Sequence, residues 1–127
     1  MYPENPRRLK VLIADDNRRV VKSVSRLLAM DYDVVCTVGS GNQLLEAAQH
    51  HHPDIVVLDV SLSDGDSMEL CRQLTRRDSG AKVIVFSAND NPEIRDRALE
   101  AGASDFVDKL FADTLLTAVR RLHPQAQ

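Results

Sequence analysis

An alternation limits what this chain can fold into: five short apolar runs, each followed by a stretch with helical periodicity. The first run, 10–14, is almost continuously apolar after Lys10, as a strand covered on both faces has to be. The stretch behind it sets Val20, Val21, Val24, Leu27 and Leu28 on one face at a 3.6-residue period. Residues 34–38 are rich in β-branched side chains. Residues 41–51 group Leu44, Leu45 and Ala48, and Pro53 is expected to end that helix. Residues 55–58 form the most apolar run and are predicted to be the central strand. A loop through Ser63, Asp64 and Gly65 leads to a helix carrying Leu70, Cys71 and Leu74. The fourth strand is predicted at 82–86. Asn91-Pro92 then opens a helix bearing Ile94, Ala98 and Leu99, with Gly102 as its C-terminal cap. A short strand near 105–107 precedes a last helix with Leu115, Leu116, Val119 and Leu122, closed by Pro124. Strands alternating with helices imply right-handed crossovers and a parallel sheet with helices on both faces, an α/β fold.

The length of 127 residues with 43% apolar content suffices for one domain, 1–127, with its core at about 9–122 and short flexible tails. No repeat, linker or low-complexity segment interrupts it. Charged residues make up 28%, and no apolar run approaches the ~18 residues of a membrane span. Residues 1–10 lack the apolar stretch of a signal peptide, so a cytoplasmic location is expected. The net charge of −3 gives no footprint for nucleic acid, so DNA binding would have to come from another domain or a partner. Cys36 and Cys71 lie in apolar surroundings and are expected to be buried, reduced thiols. Arg76-Arg77 and Arg120-Arg121 read as solvated faces. His50, His51 and His52 point in different directions around a helix, so they read as a solvated helix end rather than a metal site.

Ligands of open parallel sheets bind at the carboxyl ends of the strands, where the strand order reverses. The first strand ends in Asp15-Asp16, the third in Asp59 and the fourth in Ser87, and Lys109 follows the fifth. The second ends in Gly39-Ser40, which adds nothing obvious. Any one of these aspartates alone reads as a turn former or helix cap, and Lys109 alone as a surface lysine. Asn17 is available to cap the first helix, which frees Asp15 and Asp16 from that task. Together the residues form a constellation. Three carboxylates held close repel one another, and a hard divalent cation relieves the repulsion. Mg²⁺ accepts a few such oxygens and keeps several waters. Lys109 and Ser87 are left to bind another anionic group.

With these residues in order, the chain resembles the receiver domain of two-component response regulators. The resemblance runs from about Leu9 to Leu122. It rests on Val11-Leu12-Ile13-Ala14-Asp15-Asp16-Asn17, Asp54-Ile55-Val56-Val57-Leu58-Asp59, Val85-Phe86-Ser87-Ala88 and the segment from Gly102 to Lys109. It implies a flavodoxin-like (βα)5 fold with strand order 2-1-3-4-5. It also implies a phosphoryl group accepted on Asp59 from a sensor histidine kinase or phosphotransfer protein. Asp15, Asp16, Asp59 and the Ser61 carbonyl would hold Mg²⁺, with Mn²⁺ able to substitute. Lys109 would pair with the phosphoryl oxygens and Ser87 would hydrogen-bond to them. Phe106 would be the aromatic switch, turning inward as Ser87 moves. The face of the fourth helix, fifth strand and last helix would serve a partner, an output domain or a second copy. Such a domain promotes only its own phosphorylation and dephosphorylation; direct nucleic-acid or membrane binding is not expected of it.

Three positions depart from the family pattern. Leu110 follows Lys109 where proline is common. A cis bond there costs about 3–4 kcal/mol without proline, so the bond can be trans and Lys109 can sit differently. Ser63 replaces a frequent proline, and Ser67 a frequent glycine; both are expected to alter the loop and not the chemistry. Phe106 lacks a hydroxyl, which favours its inward state. Three rival functions fit the residues less well or use fewer of them. An aspartate-nucleophile phosphatase usually carries a second aspartate where Ser61 stands. A flavin-binding electron carrier needs a phosphate cradle where Asp15 and Asp16 would repel phosphate. A degenerate receiver would work as an interaction module without phosphorylation.

Overall fold

The computed structural model describes residues 8–62, 64–76, 80–88 and 91–122. The expectations for both tails, Ser63, Arg77 and Pro124 lie outside those residues. The apolar runs become five parallel strands: β1 (Lys10–Ala14), β2 (Asp33–Val38), β3 (Ile55–Asp59), β4 (Lys82–Ser87) and β5 (Asp105–Asp108). They lie in the order β2-β1-β3-β4-β5, as the resemblance implied. Between them run α1 (Arg18–Ala29), α2 (Gly41–His51), α3 (Ser67–Arg76), α4 (Pro92–Glu100) and α5 (Asp113–Arg121). No helix is long and apolar enough to cross a membrane, among the described residues.

Successive strand side chains point to opposite faces, so each strand feeds two apolar layers. Leu12, Ala14, Val56, Leu58, Val83 and Val85 meet Leu44, Leu70, Cys71, Leu74 and Ala98 of α2, α3 and α4. Val11, Ile13, Ile55, Val57, Ile84 and Phe86 meet Val24, Leu28, Leu115 and Val119 of α1 and α5. This two-sided burial is why β3 reads as a continuous apolar run.

The chain leaves β1 for β2 on one side and returns to β3 on the other, so the order reverses between β1 and β3. Ala14 pairs with Leu58, which sets Asp15 beside Asp59 one residue further on. The helix starts are built as the sequence indicates. Asn17 Oδ1 accepts from the Arg19 and Val20 amides, Ser40 Oγ from Gln43, and Asn91 Oδ1 from Glu93 with Pro92 at the first helical position. Gly102 follows α4 at φ +105°, a conformation that L side chains rarely adopt.

The structure refines several expectations and corrects some. Helix α2 ends at His51; His52 caps it in a left-handed conformation (φ 49°) normally filled by Gly or Asn, and Pro53 follows the cap. Cys36 is half-buried, because β2 is an edge strand covered incompletely; Cys71 is buried. A 3-10 turn, Lys109–Phe111, leads from β5 towards α5 and leaves Leu110 and Phe111 exposed. The Lys109–Leu110 peptide is trans. His50 is exposed and His51 half-buried, their rings edge to face, so the run is not wholly solvated. Arg120 is exposed and lies 3.7 Å from Asp31.

Candidate functional site

The ends of β1, β3, β4 and β5 converge on the buried side chains of Asp15 and Asp59. Asp15 is anchored twice: its amide donates to the Val38 carbonyl (3.0 Å), and its Oδ1 accepts from the Asn17 amide (2.9 Å). Asp59 Oδ1 accepts from the Ser61 amide at 3.0 Å, and the Ser61 hydroxyl lies 2.9 and 3.0 Å from the two carboxylate oxygens. Asp16, on the first turn out of β1, is exposed. One carboxylate oxygen from each of Asp15, Asp16 and Asp59 lies within 4.8 Å of the others.

Lys109 comes in from the end of β5. Its ammonium lies 2.7 Å from Asp15 Oδ2 and 3.3 Å from Asp59 Oδ2. It is also 5.6 Å from the centre of the Phe86 ring. The trans peptide therefore does not keep Lys109 away from the acids. The contact of Lys109 with Asp15 Oδ2 is a close, largely buried ion pair. Burial raises the Asp15 carboxyl above its ordinary value; Lys109 and the Asn17 amide pull it down, and the Asp59 charge pushes it up. One ammonium facing three carboxylates leaves an excess of negative charge. The excess negative charge and the all-oxygen donor set, gathered within 4.8 Å, fit a hard divalent cation that keeps part of its water shell.

Ser87 is buried at the end of β4. A cavity of about 400 Å³ opens beside it, lined by Ser61, Asp66, Ser67, Met68 and Arg97 among others. Phe106, the expected aromatic switch, is buried, with the Arg95 guanidinium 4.9 Å above its ring. The missing hydroxyl removes the main cost of burying that ring.

The chemistry of three residues was not legible beforehand. Ser61 meets the Asp59 carboxylate with its side-chain hydroxyl and its amide, where only its carbonyl was expected to act. Ser67 is buried, and its hydroxyl donates to the Asp59 carbonyl at 3.1 Å. Asp64 accepts from the amides of Gly41 and Asn42. A serine two residues after a strand-end carboxylate was the available signal for the first; nothing local pointed to the other two.

The family model described as the response regulator receiver domain matches residues 11–120. The chain belongs to this family. Among curated receiver-containing relatives, the response regulator MprA of Mycobacterium sp. (strain KMS) is 35% identical over 115 residues, which is 90% of this chain and 50% of that protein. The chain thus spans about half the length of the curated relatives it matches. Among solved structures, the BeF3-activated DrrB receiver domain superposes with a TM-score of 0.82 at 31% identity, covering 91% of this chain and 97% of that one. DrrB is described as a Thermotoga maritima OmpR/PhoB homologue. A CheX–CheY–BeF3–Mg²⁺ complex from Borrelia burgdorferi gives 0.84 at 25% identity, with coverages of 92% and 90%. Receiver membership carries the two-component signalling context with it.

Proposed function

We propose that Asp59 accepts a phosphoryl group from a sensor histidine kinase or phosphotransfer protein. A divalent cation, Mg²⁺ or Mn²⁺, would be held by Asp15, Asp16, Asp59 and the Ser61 carbonyl. The observation carrying this reading is Lys109 Nζ within 3.3 Å of both buried carboxylates, with a third carboxylate, Asp16, in the same cluster. The relatives solved with BeF3, one of them also with Mg²⁺, support it.

In the reaction a carboxylate oxygen of Asp59 forms a bond to phosphorus as the bond to the donor's histidine nitrogen breaks. When bound, the cation neutralises charge on the phosphoryl oxygens. Ser61 holds the Asp59 carboxylate in one orientation through its amide and hydroxyl. Lys109 is placed to exchange its Asp59 partner for a phosphoryl oxygen, which it can do without leaving Asp15. Ser87 is at the adjacent strand end to donate its hydroxyl. The added charge of roughly −1.5 to −2 gives the site a means of biasing the α4-β5-α5 surface. That surface includes the exposed Leu99 and would meet an output domain, a partner or a second copy. The chain is read as a cytoplasmic receiver domain, 1–127 with its core at about 9–122, and its chemistry as confined to its own acceptor.

Incubation with acetyl phosphate and Mg²⁺, followed by intact mass, tests the reading. One adduct of about 80 Da, lost in Asp59→Asn and on removing the cation, is expected. A wild-type protein without an adduct would sink it.

A further inference from the structure

The loop after Asp59 is tied to a distant element by one side chain. Asp64 Oδ1 accepts from the Gly41 amide at 2.6 Å, and Oδ2 accepts from the Asn42 amide at 3.1 Å. These are two of the orphan donors that begin every helix. A third, on Gln43, is taken by Ser40 Oγ at 3.2 Å. The start of α2 is thus capped both from within and by a carboxylate 23 residues further along the chain from Gly41. The seat is shaped for it: a Cβ on Gly41 would lie 3.3 Å from Asp64 Oδ1 and 2.9 Å from Leu70 Cδ1.

The two segments joined in this way flank the acids. Val38, two residues before Ser40, accepts the Asp15 amide. Ser61, three residues before Asp64, grips the Asp59 carboxylate. We propose that Asp64 is a positioning residue: by fastening the loop of Ser61 to the start of α2, it fixes the spacing of the Asp15 and Asp59 sides of the site, and so sets how strongly the site holds its divalent cation. The inference rests on the proposed phosphoacceptor reading and adds a determinant that does not touch the reacting atoms. The backbone amides lower the Asp64 carboxyl below its ordinary value, so the tether stays charged throughout the neutral range. Leu62, buried between the two anchors, holds the loop inward; Asp64 holds it sideways.

The test is the Mg²⁺ dependence of acetyl phosphate labelling in the full chain, well below the melting temperature. Outer-shell partners of metal ligands typically control affinity by ~10–100-fold. Asp64→Ala is expected to raise the half-saturating Mg²⁺ concentration roughly tenfold, at the low end of that range, with the rate at saturating Mg²⁺ changed less than about twofold. Asp64→Asn keeps one acceptor and should fall between the two. A loss of stability alone would not move the Mg²⁺ midpoint while sparing the maximal rate. An unchanged midpoint in Asp64→Ala overturns the proposal. If the wild type takes no label, the phosphoacceptor reading fails instead. Mn²⁺ binding measured by water-proton relaxation then decides on Asp64: weaker binding in Asp64→Ala upholds it, and equal binding overturns it.

Discussion

Replacing Asp59 with Asn should stabilise the fold whenever divalent cations are chelated. At the 4.8 Å that bounds the cluster, two buried unit charges at an effective dielectric of ~20 repel by about 3.5 kcal/mol. The exposed Asp16, seen through water, adds about 1 kcal/mol. Against this, Lys109 at 3.3 Å attracts the Asp59 charge by about 5 kcal/mol on the same dielectric of ~20. The pairwise terms nearly cancel. The balance therefore falls to burying the carboxylate itself, which costs several kcal/mol per ion after relaxation. Asn avoids that cost, still accepts from the Ser61 amide, and leaves Lys109 with Asp15 at 2.7 Å. A net gain of about 2 kcal/mol is expected: removing one partner of a buried pair is ordinarily destabilising, but here Lys109 keeps a carboxylate partner in Asp15 and no uncompensated charge is left. Urea denaturation in EDTA would show it as a higher midpoint at an unchanged slope. Saturating Mg²⁺ should narrow the gap, because the wild type offers the cation one more carboxylate. An Asn variant less stable than wild type in EDTA refutes the reasoning, since attraction by Lys109 would then outweigh both repulsion and burial.

Gly102→Ala should cost at least about 2 kcal/mol in thermal unfolding, because φ is +105° and the new Cβ would lie 2.5 Å from Thr75 Oγ1. Burial pushes the Cys71 thiol up to about 11, so a thiol reagent at pH 8 should modify Cys36 first and Cys71 only on unfolding. The folded value of Cys71 lies above its ordinary 9.0, so its contribution to stability is full below pH 9 and is lost as pH rises towards 11; Cys71→Ala should lack that loss. Asp64 has the opposite sign. Its folded value lies below 3.8, so its contribution is present above that pH and is lost as pH falls through the lower value. Acid titration of stability should accordingly be shallower in Asp64→Asn.

The sheet was legible because its strands are buried on both faces, so Ile55 to Leu58 had to read as an unbroken apolar run. Edge strand β2 read less truly: Cys36 looks buried beside Val35 and Val38, yet edge position left it half-covered. The convergence of Asp15, Asp59 and Lys109 could be foreseen, since parallel strands deliver their ends to one edge. The fine structure could not. Whether the Ser61 hydroxyl or its carbonyl faces Asp59 depends on loop torsions that composition does not record. The pairing of Asp64 with Gly41 joins segments that only the packing of α2 beside α3 brings together. His52 gives no hint of its left-handed turn, and Leu110 gave only the negative signal of a missing proline.

Two aromatic rings, one on each side of the sheet, lie against cations. The ring of Phe86, in the layer under α1 and α5, faces Lys109. The ring of Phe106, in the layer under α2, α3 and α4, faces Arg95. Lys109 stands against the acids themselves, and Arg95 in α4, the helix that follows β4. New negative charge at that edge would tug on the ammonium directly and on the guanidinium through the field. Either movement would unseal an aromatic surface. One electrostatic event at the rim would then reach both sides of a sheet whose two layers, among the described residues, share no buried side chain.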